Sequence, residues 1–256
     1  VDIEVANTLN MTLTGSVLNC NNDSDGTLSS VVNGGTSPYS HNWTLGGFNV
    51  SNDVNPINLG AGMYTLELTD FNGCQIIDSV EITEPSLLSL SGSSVSSSCG
   101  NSNGEVNVIA SGGTVTLDYT YSWFDIGGGF PGVSIGSGSA TEVGLPSGSY
   151  HVIVVDDNGC VDSIAVPVSD NNGPTVTWTT VDVLCFGDST GSVDITASGS
   201  SPFDFVWSGP NGYNNTDEDI TDLKSGTYTI EIIDLNGCVN TQNIDILGPS
   251  SGLSIT

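Results

Sequence analysis

One basic residue, Lys224, stands against 29 acidic ones, and there is no arginine; the formal net charge over 256 residues is −28. This lack of positive charge excludes a nucleic-acid binder, which must displace phosphate counterions with Lys and Arg. It also excludes attraction to anionic lipid and argues against phosphoryl chemistry, where a cation stabilises the transferring charge. No run of 18 apolar residues occurs, so the sequence offers no membrane-inserting helix. Charged residues reach only 12% and hydrophobic ones 37%, both below the usual globular level, and Ser, Thr, Asn and 33 Gly fill the gap. The chain opens at Val1 with neither Met nor a leader-like segment, which reads as a processed product or a fragment.

The six cysteines are Cys20, Cys74, Cys99, Cys160, Cys185 and Cys238. None lies in a C-x-x-C pair, so zinc and thioredoxin-like readings fail. An even number at wide spacing points to disulfides and an oxidising, extracellular setting. Fifteen pairings are open in principle.

Internal repetition narrows them. The later cysteines sit in near-identical text: Asp70-Phe71-Asn72-Gly73-Cys74, Asp156-Asp157-Asn158-Gly159-Cys160 and Asp234-Leu235-Asn236-Gly237-Cys238. Upstream of each stand a tyrosine (Tyr64, Tyr150, Tyr228), a glycine (Gly62, Gly148, Gly226) and a leucine (Leu59, Leu145, Leu223) at fixed offsets. A tryptophan follows each earlier cysteine: Trp43, Trp123, Trp207. The repeat, which sets the architecture, has a period of about 80 residues. Pairing within each copy is the arrangement the repeat favours: Cys20–Cys74, Cys99–Cys160 and Cys185–Cys238. Such loops would each restrain the unfolded chain by roughly 4 kcal/mol.

Tyr64, Leu66, Leu68 and Asp70 alternate with period two, as do Tyr150 to Asp156 and Tyr228 to Asp234. That alternation predicts strands with one buried face. Asn-Gly follows every time, a hairpin signal, and the returning strand buries Val80 and Ile82, Val166 and Val168, Ile244 and Ile246. Strands also follow Gly26, Gly104 and Gly191, and others carry the tryptophans. No helical period appears, and turn residues recur every 8–12 positions, so the fold class is all-β, a chain of sandwiches. The expected organisation is an extra strand over 1–9, three units over 10–85, 86–174 and 175–249, and a closing strand over 250–256. An 80-residue unit has a marginal core, and the cysteines are expected to supplement it.

The combined pattern of Cys, Gly-Gly-x-x-Pro-Tyr, Trp, Leu-x-x-Gly-x-Tyr and Asp-x-Asn-Gly-Cys resembles the SprB repeat, found in surface adhesins of gliding bacteria. Gly34, Gly35, Pro38, Tyr39, Trp43, Leu59, Gly62, Tyr64, Asp70, Asn72, Gly73, Cys74 and Pro85 carry it in the first copy. The second departs most, with no Pro-Tyr after Gly112-Gly113 and a Gly-rich insert from Gly127 to Gly138. The resemblance implies three tandem immunoglobulin-like β-sandwiches in an elongated rod, non-catalytic and displayed on a bacterial surface.

Catalytic constellations are lacking. His41 and His151 occupy non-equivalent positions beside core strands, and His41 stands where the other copies have Tyr121 and Phe205. Asn21, Asp23 and Asp25 mimic half of a calcium loop without its closing Glu, so calcium is the one cofactor entertained. Asp217, Glu218, Asp219 and Asp222 form a second acidic cluster. Asp-Ser/Thr-apolar text at Ser79, Ser163 and Ser189 resembles O-glycan acceptors of the bacteria that carry the repeat. Asn-x-Ser/Thr sites fall at Asn10, Asn22, Asn42, Asn49 and Asn214. The end segments 1–9 and 251–256 read as orphan strands that could add to a neighbour's sheet edge and build a head-to-tail filament of copies. The functional expectation is an extracellular structural repeat of a surface fibre or adhesin stalk, decorated with glycans. The competing expectation is a polysaccharide-binding module with calcium-supported acidic loops.

Overall fold

A computed structural model describes residues 8–251 apart from 128, 130 and 131. The expected end strands fall almost wholly outside the described residues. The first seven strands are β1 (Asn10–Gly15), β2 (Gly26–Asn33), β3 (Ser40–Leu45), β4 (Phe48–Ser51), β5 (Ile57–Leu59), β6 (Gly62–Thr69) and β7 (Gln75–Ile82). They form two sheets, β1-β2-β5 and β4-β3-β6-β7. The second set is β8 (Ser89–Val95), β9 (Ser97–Ser98), β10 (Gly104–Ser111), β11 (Thr120–Asp125), β12 (Val133–Ser137), β13 (Thr141–Leu145), β14 (Gly148–Val155), β15 (Val161–Val168) and β16 (Asp170–Asn171). The third is β17 (Thr175–Val181), β18 (Gly191–Ser198), β19 (Asp204–Gly209), β20 (Tyr213–Asn215), β21 (Ile220–Leu223), β22 (Gly226–Ile233) and β23 (Val239–Ile246). Each set repeats the same three-plus-four plan, as β13-β10-β8 with β12-β11-β14-β15, and β17-β18-β21 with β20-β19-β22-β23.

Three separate cores fill the space between paired sheets. The alternation seen in sequence is the burial observed: Tyr64, Leu66 and Leu68 on β6 point inward, as do their counterparts on β14 and β22. Trp43, Trp123 and Trp207 are each 0% exposed. Burying an indole requires a partner for its N–H, and each one donates to a loop carbonyl: Asp53 at 3.1 Å, Ser139 at 2.9 Å and Asp217 at 3.0 Å. The tyrosines answer to the same rule. Tyr64, Tyr150 and Tyr228 donate to the carbonyls of Gly60, Pro146 and Lys224, four residues upstream, at 3.0, 2.8 and 3.1 Å. This is the tyrosine corner of immunoglobulin-like sandwiches, and burial pushes all three phenols above their ordinary pKa.

The accessible surface is 14709 Å². A single compact globule of this mass would expose about 10,600 Å², and three independent globules of a third the mass about 14,300 Å². The sandwiches therefore bury little against one another. What joins them is local to their ends.

Candidate functional site

The places where one sandwich meets the next hold the chemistry of this chain. At the start of each β7-type strand, a carboxylate shapes a five-residue connection. Thr69 and Gln75 form the last rung of the β6–β7 ladder, so Asp70 to Cys74 make a longer turn than Asn-Gly alone predicts. The Cys74 amide donates to Asp70 Oδ1 at 2.8 Å; Cys160 and Cys238 do the same to Asp156 and Asp234 at 2.8 and 2.9 Å. Gly73, Gly159 and Gly237 sit at φ 83°, 87° and 78°, where a side chain would be strained. Thr36 and Thr114 amides close the first two cages at 3.0 and 2.7 Å. Burial pushes the Asp70 carboxyl upward, but the amides of Cys74, Thr36 and Asn72 outweigh it and hold it below the usual carboxylate range. The cysteine amide is thus held by the same carboxylate in all three copies. We call this end of each sandwich its upper pole.

The earlier cysteines occupy the opposite, lower pole. The Leu18 amide bonds the Thr83 carbonyl at 2.8 Å, Asn21 Nδ2 bonds the Pro85 carbonyl at 3.0 Å, and the Asn22 amide bonds Glu84 at 2.7 Å, all beyond the far end of β7. Cys99 N bonds the Asn171 carbonyl at 3.1 Å beyond β15, and Val183 N bonds the Leu247 carbonyl at 2.9 Å beyond β23.

This arrangement overturns the pairing expected from the repeat. Cys20 is bonded to Cys160, and Cys99 to Cys238, with Cα–Cα distances of 5.6 and 5.2 Å. Cys74 and Cys185 are free thiols and both are exposed. The physical reason is the length of one strand. Cys74 precedes β7 and Cys20 lies beyond its end, and β7 has 8 residues. At about 3.3 Å per residue the two poles are about 26 Å apart, whereas a disulfide needs Cα atoms within about 7 Å. The same strand length separates Cys99 from Cys160 and Cys185 from Cys238. Each lower pole reaches instead the upper pole of the following sandwich. The closed loops are therefore 140 and 139 residues in sequence separation, not the short ones expected.

The first joint is also held without sulfur. Asn158 Nδ2 donates across it to the Asn19 carbonyl at 2.9 Å, and to Thr114 Oγ1 within its own sandwich at 3.1 Å. A cleft of about 550 Å³ lies here, lined by Cys20, Asn21, Asp23, Leu88, Gly159 and Cys160 among others. At the second joint, β9 and β16 pair in parallel beside Cys99.

The remaining residues singled out in the sequence lie apart. Asn21 is tied to Pro85, Asp25 accepts from the amide and side chain of Asn19, and Asp23 donates its amide to the Cys20 carbonyl. The loop is thus cross-bonded into a turn that supports Cys20. Among the described residues no group of three or more His, Cys, Asp or Glu is placed to hold a metal ion. Asp219 accepts the Ile195 amide at 2.8 Å, and Asp217 receives Trp207 through its carbonyl, so the second acidic cluster braces the third core. His41 is buried against Ser30 Oγ at 3.2 Å, and desolvation lowers its pKa. Ser79, Ser163, Ser189, Asn10, Asn22, Asn49 and Asn214 are exposed, and Asn42 is half-buried between Glu67 and Asn49. In the second sandwich the loop that lacks Pro-Tyr is pinned differently. Thr116 donates its hydroxyl to Asp157 at 2.6 Å and the Leu117 amide donates at 3.1 Å, which holds that carboxyl below its ordinary pKa.

Taken together, the chain is a tandem array of three immunoglobulin-like β-sandwiches with covalently bridged joints. The family model described as SprB repeat matches residues 177–212, a stretch that runs from β17 through Cys185 and past Trp207. The resemblance read from the fixed offsets is borne out there. No curated protein matches the chain. Among solved structures, the three N-terminal domains of the Highly Immunogenic Outer Capsid protein of bacteriophage RB49 align with 12% identity over 96% of this chain and 100% of theirs, at a TM-score of 0.46. A three-immunoglobulin-domain segment of titin aligns with 12% identity over 95% and 98%, at 0.37. The N-terminal eight immunoglobulin domains of the Down Syndrome Cell Adhesion Molecule align with 14% identity over 93% of this chain and 36% of theirs, at 0.44.

Proposed function

We propose that this chain is a non-catalytic, load-transmitting segment of an extracellular bacterial surface fibre or adhesin stalk. The observation that carries the reading is the placement of the disulfides. A cystine within a domain stabilises that domain. A cystine between domains stiffens the joint and leaves each core to its own packing. Both bridges here are of the second kind. Tandem domains joined by small polar contacts swing by default, and each bridge removes that freedom where the sandwiches bury little surface. The SprB repeat match supports display at a cell surface, and disulfides persist in that compartment. One Lys and no Arg leave a trypsin-like protease a single site, which suits an exposed filament. Exposed acceptors such as Ser79 on β7 and Ser163 on β15 suit glycan decoration.

The test has two arms. Antibody raised against the chain should label intact, unpermeabilised cells of the source bacterium, and label confined to the cytoplasm would overturn the assignment. Small-angle scattering of the purified chain should give a maximum dimension that is well defined when oxidised. On reduction the same chain should spread into a broader distribution of distances. Identical curves in both states would remove the stiffening role. Intact-mass measurement of native material at the bare 26.3 kDa polypeptide would dismiss the glycans.

A further inference from the structure

The two bridges interleave in sequence: Cys99 lies between Cys20 and Cys160, and Cys160 between Cys99 and Cys238. Each cystine is therefore a node, and three stretches of backbone join the same two nodes. They run from residue 20 to 99, 99 to 160 and 160 to 238, which is 79, 61 and 78 residue steps. We propose that this segment acts as a three-route covalent tether. Tension between Cys20 and Cys238 is shared by three backbones in parallel, extension is capped by the shortest, and one backbone break does not part the chain. This concerns only the chain between those two cysteines and holds whatever adjoins them.

The nodes sit at opposite poles of the second sandwich, and all three routes cross it. The first crosses as β8, the second as β10 to β14 and the third as β15. The lower node, at Cys99, draws on the three-stranded sheet through β8 and β10. The upper node, at Cys160, draws on the four-stranded sheet through β14 and β15. Tension thus slides one sheet along the other. What resists is the core between them, where Val106 faces Trp123, Val152 and Val166, and the edge where β8 meets β15. At that edge Ser94 Oγ donates to the Pro167 carbonyl at 2.7 Å, and a Cβ on Gly92 would lie 2.5 Å from Val166.

The first and third sandwiches are detours off this line. Route one leaves Cys20, rounds β2 to β7 and returns at residues 83–85, where Leu18, Asn21 and Asn22 bond it. Route three descends β15 to residues 169–171 before entering the third sandwich. There the Ser97 and Cys99 amides bond the Ser169 and Asn171 carbonyls at 2.9 and 3.1 Å. The nodes separate only if every route releases chain, and each route draws its slack from a different sandwich. Domains in series give way one at a time at the weakest; these must yield together.

The inference takes its purpose from the stalk reading and its mechanics from the bridges alone. The full chain, with its free thiols alkylated, is pulled by single-molecule force spectroscopy between handles fused to its two ends. With both bridges intact, the stretch between Cys20 and Cys238 gains about 22 nm of contour in one event, from 61 steps at about 3.6 Å each. Reduction releases all 218 steps from residue 20 to 238, about 78 nm, in successive events. Cys20→Ser removes one node and leaves a shortest route of 79 steps, about 28 nm. Trypsin cleavage after the exposed Lys224 severs route three alone. The nicked chain keeps its handles joined and its gain of about 22 nm while oxidised, and parts when reduced. Three successive openings in the oxidised chain would overturn the proposal, as would a nicked, oxidised chain that parts under load. Neither result touches the surface labelling, so the stalk reading stands or falls separately.

Discussion

Trp207→Phe tests whether the three sandwiches are independent folding units linked only at their ends. Trp207 is 0% exposed and donates to the Asp217 carbonyl at 3.0 Å. Phe keeps an aromatic ring but removes the N–H and leaves a void of about 40 Å³, which at about 24 cal/mol per Å³ costs about 1 kcal/mol. Losing the hydrogen bond adds about 1 kcal/mol, because Asp217 is an exposed residue and its carbonyl can turn to water. With the lost transfer energy of the missing atoms, the total is about 2–3 kcal/mol. Hydrogen exchange followed by mass spectrometry reads this by segment, and amides that open with the whole domain exchange tenfold faster per about 1.4 kcal/mol. Core amides of β22 and β18 should therefore exchange roughly 30- to 150-fold faster. Those of β6 and β14 should be unchanged, since the three cores share no buried residue. Acceleration spread over all three sandwiches would refute the independence argued from the accessible surface.

Disulfide mapping after peptic digestion should recover Cys20–Cys160 and Cys99–Cys238, and alkylation without reduction should label Cys74 and Cys185 alone; bridges within a sandwich would overturn the description of the joints. Tyr150→Phe removes the 2.8 Å bond to the Pro146 carbonyl and should lower stability by about 1 kcal/mol, seen as a fall of about 4–8 °C in the melting of the second sandwich. Asp156→Ala strips the acceptor from the Cys160, Asn158 and Thr114 amides; it should slow formation of the Cys20–Cys160 bridge in oxidative refolding while Cys99–Cys238 forms at its usual rate. Stability should fall with acid in two ranges. The His41 pKa is depressed in the fold, so its contribution is complete above the unfolded value near 6.5 and declines as pH drops below it; His41→Phe should flatten that limb of a denaturation series. Asp70 and Asp157 are also depressed, so their contribution is present above the ordinary carboxylate range and is lost as pH falls through their lower folded values.

Most of the fold was legible because its signals are local. Alternation at Tyr64, Leu66 and Leu68 depends only on the two-residue period of a strand, and the buried tryptophans follow from size and polarity. The tyrosine corner and the Asp70-type cage were present as fixed offsets, but their hydrogen bonds were not assigned. The repeat showed that Asp always precedes Asn-Gly-Cys, which is the signal that a carboxylate organises that turn.

The repeat misled at the cysteines for a definite reason. Sequence periodicity states that Cys20 and Cys74 belong to one unit, and nearness in sequence makes pairing inside that unit look natural. Which sulfurs meet is decided by where strands end. An eight-residue strand carries the chain from one pole to the other, so two cysteines of one sandwich are held apart by rigid backbone. Stacking brings together those of neighbouring sandwiches. The amino-acid sequence by itself determined three two-sheet sandwiches, their cores and their turns, since each depends on contacts within a few residues or on burial. Only the tertiary structure decided that the cystines lock joints and leave Cys74 and Cys185 free. A disulfide records proximity across space, and strand length and stacking order set that proximity.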